Sequence, residues 1–222
     1  MISVILAGGG RGERTGRKIP KSFIKINKKY LFLYSLEKFN SLSQVKEIIL
    51  VLPEEKITDY LKNKLKKEFS KLKIIVGGGR ERKDSVYNGL KYVDEKADIV
   101  LIHDVARPFV SRRLIERVID GAKKYKACIP VIPSTDTLKI VENNFVKKTI
   151  EREKVFRVQT PQGFSKDVIL KAYNKSKNIN ASDDSQLVEN IGIRVYTVEG
   201  EMENIKITFP VDIEIAKKLK NG

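Results

Sequence analysis

The side chains that most often carry enzyme chemistry are scarce here: the 222-residue chain has one cysteine, Cys128, and one histidine, His103. A lone cysteine leaves no intrachain disulfide and no multi-cysteine metal site within one subunit, so Cys128 is expected to be a buried structural thiol. Tryptophan is absent and aromatic residues make up 8% of the chain. With no aromatic array beside the basic residues, a stacking platform for single-stranded nucleic acid is not expected. No run approaches the ~18 apolar residues of a membrane span, and the opening residues lack a basic n-region. The expectation is a soluble cytoplasmic protein with neither a membrane nor a nucleic acid as partner.

Acidic residues are also in deficit. Lys and Arg number 44 against 28 Asp and Glu, a net charge of +16, which suits an anionic partner such as a phosphorylated small molecule. Much of the excess is lysine on helix-like segments, including Lys62, Lys64, Lys66 and Lys67. Without a basic tail, that distribution describes a solvated face rather than a nucleic-acid groove.

The 41% of hydrophobic residues are enough for a sizeable core. Apolar, β-branched runs recur at Ile2 to Leu6, Ile48 to Leu52, Ile74 to Val76, Ile99 to Ile102 and Ile129 to Val131, with amphipathic segments of helical length between them. This alternation predicts an α/β fold: a Rossmann-like, mostly parallel sheet flanked by helices, formed by one domain over residues 1–222. Ligands of such sheets bind beyond the carboxyl ends of the strands, which draws attention to the loops at 7–21, 77–84 and 103–110. After Pro133 the rhythm changes. Thr137 to Val141 and Phe145 to Ile150 flank Asn143-Asn144, a turn signal, and predict a protruding β-hairpin arm over 136–154. A two-stranded arm is marginal alone, so it is expected to pack on a second subunit and make a homodimer. A strand at 155–158, helices near 165–176 and 183–190, a strand at 193–198 and a helix from about 210 complete the reading.

The first loop carries the sharpest signal. LAGGGRGER (6–14) follows the opening apolar run, and PKSF (20–23) comes soon after. Glycines bring backbone N–H groups close to an anion and accept φ > 0, so a strand, a glycine loop and then cations favour phosphate binding. The segment lacks the GK[ST] ending of a Walker loop and a clear GxGxxG spacing, so it fits neither common nucleotide fingerprint.

Four further segments stand beside it: GGRERKDSV (78–86), HDVARPF (103–109), TIER with RVQTPQGF (149–152 and 157–164), and SDDSQLVE with ENIKITFPVD (182–189 and 203–212). In order, spacing and wording, over nearly the whole chain, the five resemble the 2-C-methyl-D-erythritol 4-phosphate cytidylyltransferase family. The resemblance implies attack by the phosphate oxygen of a polyol phosphate, methylerythritol phosphate, on the α-phosphorus of CTP, with pyrophosphate leaving. It implies Arg14 and Lys21 as transition-state cations, main-chain N–H groups of Gly8, Gly9 and Gly10 on the triphosphate, and Gly79 and Ser85 on base and ribose. Asp104 matches the acid associated with Mg²⁺ or another divalent cation. Arg107, Thr137, Arg152, Thr160, Ser182 and Lys206 match the acceptor pocket, Arg152 and Lys206 on the attacking phosphate and Arg152 supplied across the dimer.

Each assignment has a plainer counterpart: surface cations for Arg14 and Lys21, an Asp104–Arg107 salt bridge, and an exposed ERE ion-pair cluster for Arg152. His103 is expected to be structural, because an anionic nucleophile has little need of a base. The chain departs from the family wording in an extra glycine in the first loop, Ser22 within PKSF, Val105 and Arg80, which leaves the triphosphate-loop geometry open. Two rival readings are ribitol-5-phosphate cytidylyltransferase and a non-catalytic basic protein that binds nucleotide or nucleic acid.

Overall fold

The computed structural model describes residues 1–10, 19–176 and 181–221. Arg14 lies outside the described residues. Five apolar segments form parallel strands: β1 (Ile2–Ala7), β4 (Val45–Leu52), β5 (Leu72–Gly77), β6 (Ile99–Asp104) and β7 (Ala127–Pro133). Between β1 and β4 come a two-stranded ribbon, β2 (Lys25–Ile26) with β3 (Lys29–Tyr30), and helix α1 (Leu31–Asn40). Helices α2 (Asp59–Glu68), α3 (Arg82–Leu90) and α4 (Arg112–Tyr125) make the next crossovers. The hairpin β8 (Lys139–Glu142) and β9 (Phe145–Thr149) follows, then β10 (Phe156–Val158), β11 (Gln162–Ser165), α5 (Lys166–Lys175), α6 (Asp184–Glu189), β12 (Tyr196–Glu199) and α7 (Pro210–Asn221).

In the main sheet the neighbours run β5, β4, β1, β6, β11, β7 and β12. Every pairing is parallel except those of β11 and β10, which run antiparallel to β7 along successive stretches of one edge. The mostly parallel sheet is therefore as expected. The antiparallel insertion was not: QGFS is too short and too polar to display a strand period, and it pairs because β6 and β7 each offer an open edge.

Helices cover both faces, so the central strands are mostly apolar. Along β1, Val4 and Leu6 face a cluster with Phe32, Phe39, Leu114 and Val118, while Ile5 faces Val86, Leu90, Ile169 and Leu187. Each such fully buried aliphatic side chain contributes roughly 1.5–3 kcal/mol. A third cluster seats Ile213 and Ala216 of α7 on Ile24, Ile26 and Leu31. Cys128 is buried in the first cluster, and burial pushes its thiol up to about 12.

The hairpin forms where Asn143-Asn144 placed it. Both asparagines have positive φ, 50° and 67°, the backbone that suits a tight turn between right-twisted strands. All nine strand residues of the arm are exposed, among them Phe145 and Val146. Among the described residues, no helix is long and apolar enough to cross a membrane.

Candidate active site

The strands β1, β4, β5 and β6 end side by side, and backbone bonds lace their loops together. Gly8 N–H donates to Val51 O at 2.9 Å, Gly78 N–H to Leu52 O at 2.8 Å and Val105 N–H to Ala7 O at 3.1 Å. Gly9 and Gly78 meet backbone to backbone: a Cβ on Gly9 would lie 2.6 Å from the Gly78 Cα, and one on Gly78 2.7 Å from the Gly9 Cα. Neither position accepts a side chain. Gly10, in contrast, is exposed and has nothing among the described residues within 4 Å of where a Cβ would be. Gly8 and Gly9 thus shape the loop, while no described residue packs against Gly10.

Ser22 completes the loop's support. Its buried hydroxyl donates to Gly8 O at 2.9 Å, and its Cβ and the Val105 methyl both crowd the place where a Cβ on Gly8 would lie. Two of the residues that depart from the family wording, Ser22 and Val105, therefore meet at Gly8. Lys21 precedes Ser22 in a short 3-10 turn, Lys21–Phe23, that Pro20 opens. Behind the loops, Ser85 is buried; it accepts from Gly79 N–H at 3.0 Å and donates to Glu81 O at 3.1 Å. A side chain on Gly79 would strike Asp84, whose carboxylate closes a reciprocal cap with Glu81 at the start of α3.

Asp104, at the end of β6, is the electrostatic centre. Its two oxygens accept from Arg82 Nε and Lys206 Nζ, each at 2.7 Å. Burial alone would raise the pKa of this carboxyl, but the two cations overcome it and hold the group well below the usual carboxylate range. Arg82 continues the chain: its Nη2 donates to Asp184 Oδ2 at 2.7 Å, and the Tyr173 hydroxyl donates to Asp184 Oδ1 at 2.6 Å. Burial first, and Asp184 second, push the Tyr173 phenol upward, so it stays a donor. Removing one of the two buried carboxylates, Asp104 or Asp184, costs about 3–5 kcal/mol, because a charge is left without its partner.

The QTPQ segment is the hub that ties these pieces together. Gln159 bonds the backbone of Glu201 through both ends of its amide. Thr160 Oγ1 accepts from Asp104 N–H and meets His103 Nδ1, both at 3.1 Å. Gln162 donates to Asp183 at 2.7 Å and accepts from Ser185 N–H at 3.2 Å. Asn204 closes the circuit by donating to Thr160 O at 2.9 Å. With His103 fully buried and lowered to about 4 by that burial, the ring is neutral. A neutral ring fits its partners if Nε2–H donates to Arg107 O and Nδ1 accepts from Thr160. Both nitrogens are then occupied by the scaffold, as the structural reading of His103 requires.

Arg107 does not pair with Asp104, the bland expectation for that carboxylate. Its guanidinium instead donates to Asn204 O at 2.7 Å and Val158 O at 3.1 Å. Two other cations already occupy the Asp104 oxygens. Asp104 also fits a divalent cation: it is ionised, and a carboxylate has about four acceptor positions, of which these two bonds take half. Among the described residues no cluster of three His, Cys, Asp or Glu could hold a metal alone, so the remaining ligands would be phosphate oxygens and water, as Mg²⁺ prefers.

A family model described as IspD, 2-C-methyl-D-erythritol 4-phosphate cytidylyltransferase, matches residues 1–220. The chain belongs to this family. A protein of that name from Clostridioides difficile (strain 630) is 43% identical, covering 100% of this chain and 94% of its own. Among solved structures, the 4-diphosphocytidyl-2C-methyl-D-erythritol synthase of Anaerococcus prevotii is 33% identical with a TM-score of 0.88, covering 100% of this chain and 96% of that one. The cytidylyltransferase of Thermus thermophilus is 34% identical at a TM-score of 0.83, over 99% and 98% of the two chains.

Of the residues the family resemblance points to, one group is gathered on this edge: Gly8, Gly9, Gly10, Lys21, Gly79, Ser85, Asp104, Arg107, Thr160 and Lys206. Three others are exposed, and among the described residues none has a side-chain bond to that group. Arg152 is exposed on a 3-10 turn below the hairpin, with Glu153 3.9 Å from its guanidinium. Thr137 is exposed at the foot of the arm, and Ser182 is exposed with its hydroxyl on Gln186 at 3.2 Å. Reasoning from sequence missed Arg82, Asp184 and Tyr173. Arg82 and Asp184 lie inside two of the quoted segments, but each is flanked by polar residues at the start of its helix, so no local pattern marks it for burial.

Proposed function

We propose that this protein transfers the cytidylyl group of CTP to 2-C-methyl-D-erythritol 4-phosphate, giving 4-diphosphocytidyl-2-C-methyl-D-erythritol and pyrophosphate, for isoprenoid biosynthesis in the cytoplasm. The observation that carries this reading is the braced edge itself, where Asp104, Lys206 and Arg82 lie beside glycine loops whose backbones touch. That is an arrangement for anions, and the family to which the chain belongs is named for this reaction.

In this reading the backbone at Gly10 receives the triphosphate, while Gly79 and Ser85 form the wall for base and ribose. Asp104 holds a divalent cation, which neutralises phosphate charge when bound. Lys206 has three donors and gives one to Asp104, leaving the others for the acceptor's phosphate. That phosphate is already anionic, so one oxygen attacks the α-phosphorus as the bond to the β-phosphate breaks and pyrophosphate leaves with the electron pair. Lys21 and Arg14 stabilise the charge that develops. Cations fixed in this way contribute several kcal/mol each, on the order of 10²–10³ in rate.

Arg152, Thr137 and Ser182 complete the acceptor pocket, with Arg152 delivered by the arm of a second copy. The exposed Ile140, Val141, Phe145 and Val146 of the arm support a homodimer, since a surface of this kind gains by being covered. The test is pyrophosphate release from CTP and Mg²⁺ with methylerythritol phosphate or ribitol 5-phosphate as acceptor. Release with the first alone is expected. Release with the second alone would move the protein to the ribitol branch, and none with either would favour a binding protein.

A further inference from the structure

Arg82 opens α3, the helix that carries Ser85 and follows the loop containing Gly79. Its guanidinium reaches Asp104 on β6 through Nε and Asp184 on α6 through Nη2, both at 2.7 Å. Two different nitrogens on two different carboxylates fix the plane of a guanidinium, which a single contact would leave free to turn. Asp184 is 1% exposed and meets Tyr173 on its other oxygen, so it touches no ligand itself. Its effect on the site passes through Arg82. Tyr173 is in turn stacked on Tyr87 of α3, with ring centroids 6.1 Å apart, so α5 and α6 grip α3 at two points one to two turns apart.

We propose that Asp184 and Tyr173 are positioning residues for the nucleotide: through Arg82 they lock the first turn of α3 to the end of β6, and so set the distance between the Gly79–Ser85 wall and Asp104. The proposal rests on reading that edge as the CTP pocket. A buried ion set kept only for stability would be replaceable without effect on binding, as buried pairs in other proteins often are. A positioning set is not, because the wall and the carboxylate grip opposite ends of one ligand.

The experiment is calorimetric titration of CTP into the whole protein, alongside steady-state pyrophosphate release. Asp184→Asn keeps an acceptor for the Tyr173 hydroxyl and loses the charge that aims Arg82; CTP affinity is expected to fall by about tenfold, ~1.4 kcal/mol. The KM for the acceptor phosphate should stay within about twofold, a split that general loosening would not produce. Tyr173→Phe retains the ring on Tyr87 and removes only the hydroxyl. It should weaken CTP binding in the same direction by about threefold, and it carries the test if Asp184→Asn fails to fold. Wild-type CTP affinity in both folded variants, with only a lower melting temperature, would overturn the proposal. An unmodified protein that neither binds CTP nor releases pyrophosphate would overturn the reading beneath it.

Discussion

The carboxyl edge of the sheet and the β8–β9 arm are built on opposite principles. At the edge, side chains from residues 82, 104, 160, 184 and 206 hold one another in a cross-braced set around the buried Asp104, Thr160 and Asp184. On the arm every strand residue is exposed, and what holds it is its own ladder, an asparagine turn and pairs such as Lys147–Glu142 at 2.6 Å. The edge is a device already assembled within one chain. The arm displays Phe145 at 79% exposure and the Arg152 side chain at 55%, both left open to solvent in one chain. In the proposed dimer the arm would supply the second half of the site, and association would switch it on.

The largest effect expected lies on the rigid half. Lys21→Ala should cut pyrophosphate release by about 10³-fold, ~4 kcal/mol, while leaving calorimetric CTP binding and the melting curve nearly unchanged. Full activity in that variant would remove the edge from the chemistry. On the offered half, Arg152→Ala should lower turnover by about 10²-fold. Because Arg152 is exposed, stability should move by less than about 0.5 kcal/mol. Equal mixing of the two dead variants, after subunit exchange, would restore about a quarter of the wild-type rate. Half of the dimers would then be mixed and each would hold one intact site. No recovery on mixing would place Arg152 in its own subunit's site and break the contrast.

Within the edge, Thr160→Val removes the oxygen shared by Asp104 N–H and His103. A loss of about 1–3 kcal/mol in denaturant unfolding is expected, with reduced turnover. Ser22→Ala frees the Gly8 carbonyl and should cost about 1 kcal/mol, read mainly as a higher KM for CTP. The smallest effect concerns the core under the edge. With its thiol pushed up to about 12 by burial, Cys128 should resist a thiol reagent at pH 8 until the protein unfolds. A cysteine placed on the arm by Val146→Cys should react at once in dilute protein.

Much of this contrast was legible in the residues. Apolar runs announced the parallel strands, and Asn143-Asn144 announced the arm, because local chemistry decides both. The glycine loop could be read as phosphate-directed, but not which glycine does what. Gly9 owes its identity to Gly78, 69 positions away in the chain, a contact that no local pattern encodes. Similarly, β11 escaped notice because its pairing depends on edges offered by β6 and β7. Asp104 was singled out, and the plainer alternative of a salt bridge to Arg107 fails because Arg107 is drawn away to the carbonyls of Asn204 and Val158. Long-range electrostatics of this sort appears only once the fold has chosen its neighbours.

The bond between Arg82 and Asp184 spans 102 residues. At translation speeds of roughly 5–20 residues per second, the acid leaves the ribosome about 5–20 s after the cation it must meet. During that interval the nascent chain can build β1, β4, β5 and β6 and bring Arg82 to Asp104, but the guanidinium still lacks its second anchor. Lys206 arrives later again. The growing polypeptide therefore stays without a finished pocket until residue 206 has been made, and a chain cut short before Asp184 keeps the residues of the central strands but has an unfinished clamp.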